Sequence, residues 1–248
     1  MYKISLKGIG KMQGIDTENS GERIVIRKLF KPINQALIIF DVGANKGGYS
    51  DIIFSELKKN KANIHLHLFE PSKENIPLLY EKLNDTDPNF ITYINRVALS
   101  DNNGVANLYT DSFGSDLGSL FDLRVSCRTF ESQYAENVET MMLDTYCLQN
   151  NIEHIDFLKL DVEGSEFMIL RGASKLLREK KIKFIQFEFG TGNITSRTFF
   201  YDFWEMLSDS YIFYQVLKDG LIEIKKYDTS QEIFVTSNFL LKLRNYKN

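Results

Sequence analysis

The stretch Ala36-Leu-Ile-Ile-Phe-Asp-Val-Gly-Ala-Asn-Lys-Gly-Gly48 decides the fold of this 248-residue chain. It begins as a short, unbroken apolar run, which is typical of a parallel β-strand that is buried on both faces. It then passes through a glycine-rich turn into a segment, from Tyr49 to Leu57, whose apolar residues recur at helical spacing. A strand, a tight turn and a helix in this order predict the first βα unit of an open parallel sheet.

The same alternation continues along most of the chain. Further strands are predicted over 64–69, 91–98, 105–109, 156–161 and 184–189, and C-terminal strands over 211–217, 221–225 and 233–243. The helix after residue 161 is expected to continue through Gly172, at a cost of about 1 kcal/mol relative to alanine. We therefore expect an α/β fold, a doubly wound and mostly parallel sheet with antiparallel C-terminal strands at one edge.

Composition limits the classes of protein that the chain can represent. Lys and Arg number 30 against 33 Asp and Glu, a net charge of −3, and without a basic block we expect no nucleic-acid partner. No apolar run reaches the roughly 18 residues that a membrane span requires, and residues 1–22 lack the apolar core of a secretion signal. Two cysteines, Cys127 and Cys147, fit a reducing compartment, so we expect a cytoplasmic protein.

The turn after the first strand is the first candidate for ligand binding, because such sheets bind ligands at the carboxyl ends of their strands. Gly43 and Gly47 permit a close backbone approach, and the helix that starts near Tyr49 offers free N–H groups. A dinucleotide fingerprint needs glycine at position 45, where this chain has Asn45. Asp41 would repel a pyrophosphate and attract a sulfonium. The motif therefore favours S-adenosylmethionine over NAD, and a plain glycine turn capped by Asp41 is the structural alternative.

Two further strand ends carry polar candidates. Glu70, which ends the second strand, can accept hydrogen bonds from both ribose hydroxyls of a nucleoside, a role shared by NAD enzymes and methyltransferases. Ser100 and Asp101 follow the third strand, where we expect them to meet an adenine, with Asp101 accepting from its exocyclic amine. Each of these residues on its own is also compatible with an ordinary turn.

Five motifs together resemble the FkbM-type methyltransferases. They are Phe40–Ser50, Phe69-Glu-Pro71, Val97–Asp101 with Gly104, Met142-Leu-Asp144, and Ile155–Glu166. The resemblance covers about residues 36–190 and implies a Rossmann-like sheet that uses S-adenosylmethionine to methylate oxygen on a sugar, a glycan or a secondary metabolite. We expect a methyltransferase domain over 34–248, preceded by an N-terminal extension of residues 1–33, and the resemblance carries nothing over for the first 30 residues or the region after 190. The segment 111–135 is the expected substrate loop.

The three histidines are the obvious candidates for a general base, yet their positions argue against all of them. His65 and His67 lie within a strand that is expected to be covered on both faces. His154 precedes the strand that ends at Asp161, and seven residues at about 3.3 Å each place it roughly 23 Å from the productive edge. We expect no histidine in the catalytic site.

Carboxylates at the productive edge are the remaining candidates. Asp161 and Glu163 follow one strand and Glu188 lies near the end of the next, so mutual repulsion can raise one pKa towards that of a useful base. We expect metal-free base catalysis and no metal site, with Mg²⁺ held by the same oxygens as the alternative. Lys159 is expected to contribute only its aliphatic stem to packing. Glu166 is expected to stabilise the first turn of a helix.

Two other classes of function stay open at this point. An oxidoreductase that binds NAD would be stabilised by NADH rather than by S-adenosylmethionine. A non-catalytic binding module would hold the cofactor but transfer no methyl group, and substitution of Asp161 or Glu163 would change nothing measurable.

Overall fold

The structure is a computed structural model that describes residues 20–30, 36–58, 63–83, 87–112, 115, 117–122 and 134–246. Its strands in chain order are β1 Leu37–Val42, β2 Ile64–Phe69, β3 Phe90–Asn95, β4 Ala98–Ser100, β5 Gly104–Thr110, β6 Gly118–Ser119, β7 Tyr134–Met142, β8 Ile155–Leu160, β9 Ile182–Phe189, β10 Tyr211–Leu217, β11 Gly220–Ile224 and β12 Ser237–Leu243. Its helices are α1 Glu22–Leu29, α2 Gly48–Leu57, α3 Ile76–Leu83, α4 Leu143–Gln149, α5 Glu166–Arg171, α6 Ser174–Arg178, α7 Gly192–Ser196 and α8 Phe200–Leu207. Among these helices, none is long and apolar enough to cross a membrane.

Eight strands form one large sheet in the order β11-β10-β12-β9-β8-β1-β2-β3. The five strands from β3 to β9 in this order run parallel. β12 pairs antiparallel with both β9 and β10, and β10 forms an antiparallel hairpin with β11. The prediction of a mostly parallel sheet with antiparallel C-terminal strands at one edge is confirmed, although β12 starts at Ser237 rather than at residue 233.

The central strands alternate their side chains between two apolar clusters, one on each face of the sheet. In β1, Leu37 and Ile39 join the cluster that contains α1, α2 and α3. Phe40 and Val42 join the other cluster, with residues from α4 to α6 and α8. Because both faces are covered, almost every position of β1 is apolar, and each fully buried large side chain contributes about 1.5–3 kcal/mol.

The sequence predicts a single strand over 91–98, and this prediction is wrong because the chain forms two strands there. The side-chain amide of Asn95 donates to the carbonyl of Leu68 at 3.0 Å, so a side chain takes up a backbone acceptor where β3 ends. β4 then leaves the large sheet and pairs in parallel with β7, within a second sheet of order β4-β7-β5-β6. The predicted strand over 105–109 is β5, whose partners lie in this second sheet.

The expected continuous helix after β8 is likewise two helices, with α5 ending at Arg171 and α6 beginning at Ser174. A methyl group on Gly172 would lie 2.0 Å from the backbone oxygen of Ser100. Glycine therefore allows β4 to pack directly against the break. The Asp144 carboxylate accepts hydrogen bonds from two N–H groups at the start of α6, at 2.8 and 3.0 Å, so the interruption is capped by a side chain.

Helix α1 packs on the same core as the parallel sheet. Val25 and Ile26 are fully buried, and the α2 carboxylate of Glu56 forms ion pairs with Arg23 at 2.7 Å and Arg27 at 2.5 Å. The predicted boundary at residue 33 lies outside the described residues. The described part of the predicted N-terminal extension is thus held by the apolar core and by ion pairs.

Candidate active site

A cavity opens at the carboxyl ends of β1, β2 and β8, where the sequence predicts the ligand site. The empty space in the cavity and at its mouth, open solvent included, amounts to about 720 Å³. One side is polar and is formed by the turn after β1 and the loop after β2. The opposite side is mostly apolar and includes Val97, Leu99 and Leu108, which belong to or adjoin the second sheet. A pocket with an apolar wall and convergent polar groups suits a small ligand.

The glycine turn brings the backbone of β1 against two neighbouring strand ends. Gly43 has a φ of +81°, and a Cβ there would lie 1.8 Å from the backbone oxygen of Asp161. The N–H groups of Gly43 and Ala44 both donate to the carbonyl of Phe69, at 3.0 and 3.1 Å. The turn is therefore fixed between β2 and β8, and Asn45, also at positive φ, lines the cavity.

Glu70 holds the polar wall together. One carboxylate oxygen accepts from the N–H of Asn45 at 2.8 Å, and the other accepts from the N–H of Ser72 at 2.9 Å. Burial raises the pKa of Glu70, and these two hydrogen bonds oppose that rise. The side-chain amide of Asn75 also approaches the second oxygen, at 3.5 Å. A carboxylate has about four lone-pair sites, so the first oxygen can still accept a bond from a ligand, and the second can do so where the ligand replaces the long Asn75 contact.

Several buried polar atoms on the cavity wall have no hydrogen-bond partner among the described residues. They are the side-chain oxygens of Asn45, Asn75 and Ser165. Buried polar atoms without partners are rare in native proteins, and such atoms at a cavity point to a ligand or to water. Two amide oxygens and the Glu70 carboxylate accept hydrogen bonds from hydroxyl and ammonium groups, so the residues present fit a polar, cationic nucleoside such as S-adenosylmethionine.

Below the cavity, Lys159 lies between two carboxylates. Its Nζ is 3.3 Å from Asp41 and 3.2 Å from Asp161. The Lys159 side chain is 5% exposed, whereas that of Asp161 is 40% exposed and lines the cavity. Burial disfavours the ammonium, but the two carboxylates outweigh this cost and raise the pKa of Lys159. Lys159 is thus the centre of a buried ion-pair network, which corrects the expectation that only its stem matters.

Asp161, Glu163 and Glu188 are brought to one edge, as their strand positions predict. Asp161 and Glu163 line the cavity. Glu188 follows Phe187, whose register partner is Leu160, so it lies beside Asp161 on the neighbouring strand. Burial, and then the charges of Asp161 and Glu163, raise the pKa of Glu188 well above its ordinary value. A carboxylate with a raised pKa is a stronger base, which suits the removal of a proton from a hydroxyl group.

Comparison with known proteins identifies the family of this chain. Residues 41–213 match the model of the Methyltransferase FkbM domain. The chain belongs to the FkbM methyltransferase family. The 2-O-methyltransferase NoeI of Sinorhizobium fredii is 27% identical over 162 residues, which are 61% of this chain and 63% of that protein. The chain thus spans less than two thirds of the length of this curated relative.

Two solved structures also match the FkbM chain at low identity. A Pyrococcus horikoshii protein assigned as an RNA methyltransferase is 12% identical, covers 90% of this chain and 81% of its own, and has a TM-score of 0.39. A Listeria monocytogenes protein assigned as a class I S-adenosylmethionine-dependent methyltransferase is 11% identical, with coverages of 99% and 68% and a TM-score of 0.41.

Some predicted cofactor residues of this member of the FkbM family lie away from the cavity wall. Asp41 and Tyr49 are buried beneath the cavity, and Gly47 faces the side chains of α3. Ser100 packs its backbone against Gly172, and Asp101 pairs with Arg171. Of the predicted set, Gly43, Asn45 and Glu70 line the cavity directly.

Glu166 lies in the first turn of α5, as expected, but its side chain also folds back. One of its oxygens accepts from the N–H groups of Val162 and Gly164, at 3.1 and 3.2 Å. The other oxygen is buried without a partner. Burial raises the pKa of Glu166 to about 8, against the effect of its backbone hydrogen bonds.

The histidines lie away from the cavity, and His67 is buried as its strand position predicts, whereas His65 is half-buried. His67 is buried, bonds Tyr146 at 2.8 Å, and stacks on Tyr93. Burial lowers the pKa of His67 to about 4. His154 is 3.5 Å from Asp156 at the opposite end of β8. Across the described ranges of the chain, no group of three or more His, Cys, Asp or Glu side chains is arranged to hold a metal ion.

Sequence reasoning missed several polar residues around the site. Asn75 lines the cavity but follows a turn that carries no distinctive motif. Ser165 also lines the cavity, and although it lies within the Ile155–Glu166 motif it was not assigned to the site. Gln186 is 1% exposed and bonds Tyr49 at 3.3 Å. The sequence did contain a signal for Gln186, because Gln186 and Glu188 alternate with phenylalanines in β9. This alternation marks one polar face of an otherwise apolar strand.

Proposed function

We propose that this protein is an S-adenosylmethionine-dependent O-methyltransferase that acts on a hydroxyl group of a sugar, glycan or secondary-metabolite acceptor. One observation carries the proposal. In a chain of the FkbM family, Glu70 and the unpartnered oxygens of Asn45 and Asn75 converge on a single cavity at the carboxyl edge of the sheet. The 2-O-methyltransferase relative supports oxygen as the methylated atom.

The residues divide into a binding set and a reacting set. Glu70, Asn45 and Asn75 would hold the ribose and the amino-acid end of the cofactor, and the apolar wall at Val97 and Leu99 would cover its adenine. When bound, the cofactor supplies an electrophilic methyl group on a sulfonium. The negative charge of Asp161 and Glu163 at the cavity stabilises a cation there.

Glu188 is proposed as the general base. Its raised pKa and its place beside Asp161 favour removal of the acceptor proton as the oxygen attacks. Asp161 and Glu163 would orient the acceptor hydroxyl, and such positioning contributes up to about 7–11 kcal/mol in well-aligned reactions. The described part of the predicted substrate loop supports this arrangement, because Ser119 donates to the backbone oxygen of Glu163 at 2.8 Å and Leu120 lines the cavity. Residues 123–133 of that loop lie outside the described residues.

A ligand panel followed by methyl transfer tests the proposal. S-adenosylmethionine should raise the melting temperature and NADH should not. Labelled methyl transfer to a panel of neutral oligosaccharides and an extract, analysed by mass spectrometry, should then give an O-methylated product. Activity should survive exhaustive EDTA treatment if no metal acts. Stabilisation by NADH alone would favour the oxidoreductase, and cofactor binding without any methylated product would favour the binding module.

A further inference from the structure

Helix α1 places a buried carboxylate beneath the cavity, although the matched family domain begins only at residue 41. Glu22, in the first turn of α1, is 6% exposed. One of its oxygens accepts from the Ser20 hydroxyl at 2.8 Å, and the other accepts from the side-chain amide of Gln186 at 3.1 Å. An acid is seldom buried unless it is paired or hydrogen-bonded, so its position needs an explanation beyond packing.

A continuous polar chain leads from Glu22 to the cavity. The Gln186 oxygen accepts from the Tyr49 hydroxyl at 3.3 Å, and the Tyr49 ring lies 4.7 Å from the Lys159 ammonium. Lys159 in turn pairs with Asp161, which lines the cavity. We call Glu22, Gln186, Tyr49, Lys159 and Asp161 the polar chain. All of its members except Asp161 are at least nine-tenths buried, so their geometry is fixed by packing as well as by hydrogen bonds.

The charges around the polar chain are unbalanced. Glu22, Asp41 and Asp161 all act on the one ammonium of Lys159 and raise its pKa against the effect of burial. Burial, and then the charge of Asp161, raises the pKa of Glu188, with smaller contributions from Glu163, Glu166 and Glu22. Charges in such buried places are screened little by salt, so the carboxylate of α1 can act on Glu188, which lies on the same face of β9 as Gln186.

We propose that Glu22 is a positioning residue for methyl transfer, which holds Lys159 through the polar chain so that Asp161 keeps one orientation at the cavity. This inference rests on the proposed function. Under this proposal, α1 belongs to the catalytic site, although it lies outside the residues that match the family model. It also gives Glu22 an electrostatic effect, because its negative charge favours the protonated form of Glu188.

A purely structural role for Glu22 would be to anchor α1, and the chain offers a matched control for that role. α1 is also anchored by Glu56, which pairs with Arg23 and Arg27 but takes no part in the polar chain. Both Glu22→Gln and Glu56→Gln neutralise one buried carboxylate at the α1 interface. Gln186→Met breaks the polar chain at a different point with a side chain of similar length, and so covers the case in which Glu22→Gln fails to fold.

Three measurements on the full chain separate these roles. Calorimetry with S-adenosylmethionine tests the proposed function on the unsubstituted protein. The heteronuclear NMR signal of the Lys159 ammonium reports on the polar chain without any activity. The pH profile of kcat reports on the base. We expect Glu22→Gln and Gln186→Met to shift the Lys159 signal and to lower kcat by about 3- to 30-fold, with KM for the cofactor nearly unchanged.

The sign of the pH effect follows from the lost charge. Without the Glu22 carboxylate, the pKa of Glu188 falls and the acidic limb of the kcat profile moves to lower pH. Glu56→Gln should lower the melting temperature while the Lys159 signal and the pH profile stay in place. The inference is overturned if Glu22→Gln behaves like Glu56→Gln in the Lys159 signal, in kcat and in the pH profile. If the unsubstituted protein does not bind S-adenosylmethionine, the proposed function fails, while the NMR comparison still decides whether Glu22 controls Lys159.

Discussion

Replacement of Glu70 tests the polar wall of the cavity, and its effect on folding can be worked out from the structure. Glu70→Ala removes the acceptor for the N–H groups of Asn45 and Ser72. A buried polar group that loses its partner costs about 1–3 kcal/mol, and water in the open cavity relieves part of this cost. We expect the free energy of unfolding to fall by about 2–3 kcal/mol, measured by urea denaturation.

Glu70→Gln tests ligand binding with a side chain of the same size. The amide removes the charge and replaces one acceptor oxygen with an NH2 donor, so one of the two N–H groups of Asn45 and Ser72 also loses its acceptor. A hydrogen bond to a charged group contributes about 1.5–3 kcal/mol, so the loss of one such bond to a ribose hydroxyl amounts to about 2 kcal/mol, or roughly a 30-fold rise in the Kd for S-adenosylmethionine. Isothermal titration calorimetry measures this change directly.

Glu74, an exposed residue of the same turn, supplies the control. Glu74→Gln removes an equal charge from the same part of the surface and should leave both the stability and the Kd unchanged. If Glu70→Gln bound the cofactor with the affinity of the unsubstituted protein, the assignment of Glu70 to the ribose would be refuted. An equal rise of the Kd in both variants would instead show that the negative charge of this region acts on the cofactor at long range.

Three further substitutions probe other parts of the account. Burial raises the pKa of Glu166 to about 8, so the native protein loses stability as pH rises towards 8. Glu166→Gln should therefore become more stable relative to the native protein as pH rises towards 8, by up to about 1.4 kcal/mol per pH unit. An equal difference between the urea midpoints of the two proteins at pH 5 and at pH 8.5 would contradict this. Gly172→Ala would place a methyl group 2.0 Å from the backbone oxygen of Ser100. We expect the free energy of unfolding to fall by at least about 2 kcal/mol. An unchanged urea midpoint would rule out the close approach of β4 to Gly172. Glu188→Gln should slow single-turnover methyl transfer by about 100-fold or more at unchanged cofactor affinity, and a native rate at every pH would exclude Glu188 as the base.

The parallel core of the fold was predictable because each central strand is buried on both faces. β2 has the predicted bounds, and β8 differs from its prediction by one residue at each end. The second sheet was not predictable in this way. β4 contains three residues and depends on pairing with residues of β7 that lie 42 positions later, so neither periodicity nor a local turn signal separates it from β3. The break at Gly172 has the same cause, since a distant strand packs there.

The site was predictable where the chemistry follows from strand order and less so where it depends on packing. The carboxyl edges of β1, β2 and β8 led to Gly43, Glu70 and Asp161, all of which line the cavity. Strand order does not reveal which way a short strand faces, so the placement of Asp101 beside Arg171 required the structure. The link from Glu22 to Gln186 spans 164 positions and joins a helix to a strand that share no motif.

A crystal structure of the protein with S-adenosylhomocysteine, the product form of the proposed donor, is the most direct test of where the cofactor lies. The account predicts the ribose hydroxyls on the Glu70 carboxylate, the adenine against Val97 and Leu99, and the sulfur directed towards Asp161. A nucleoside bound elsewhere on the chain, with Glu70 and Asn45 still bonded only to the protein, would contradict it.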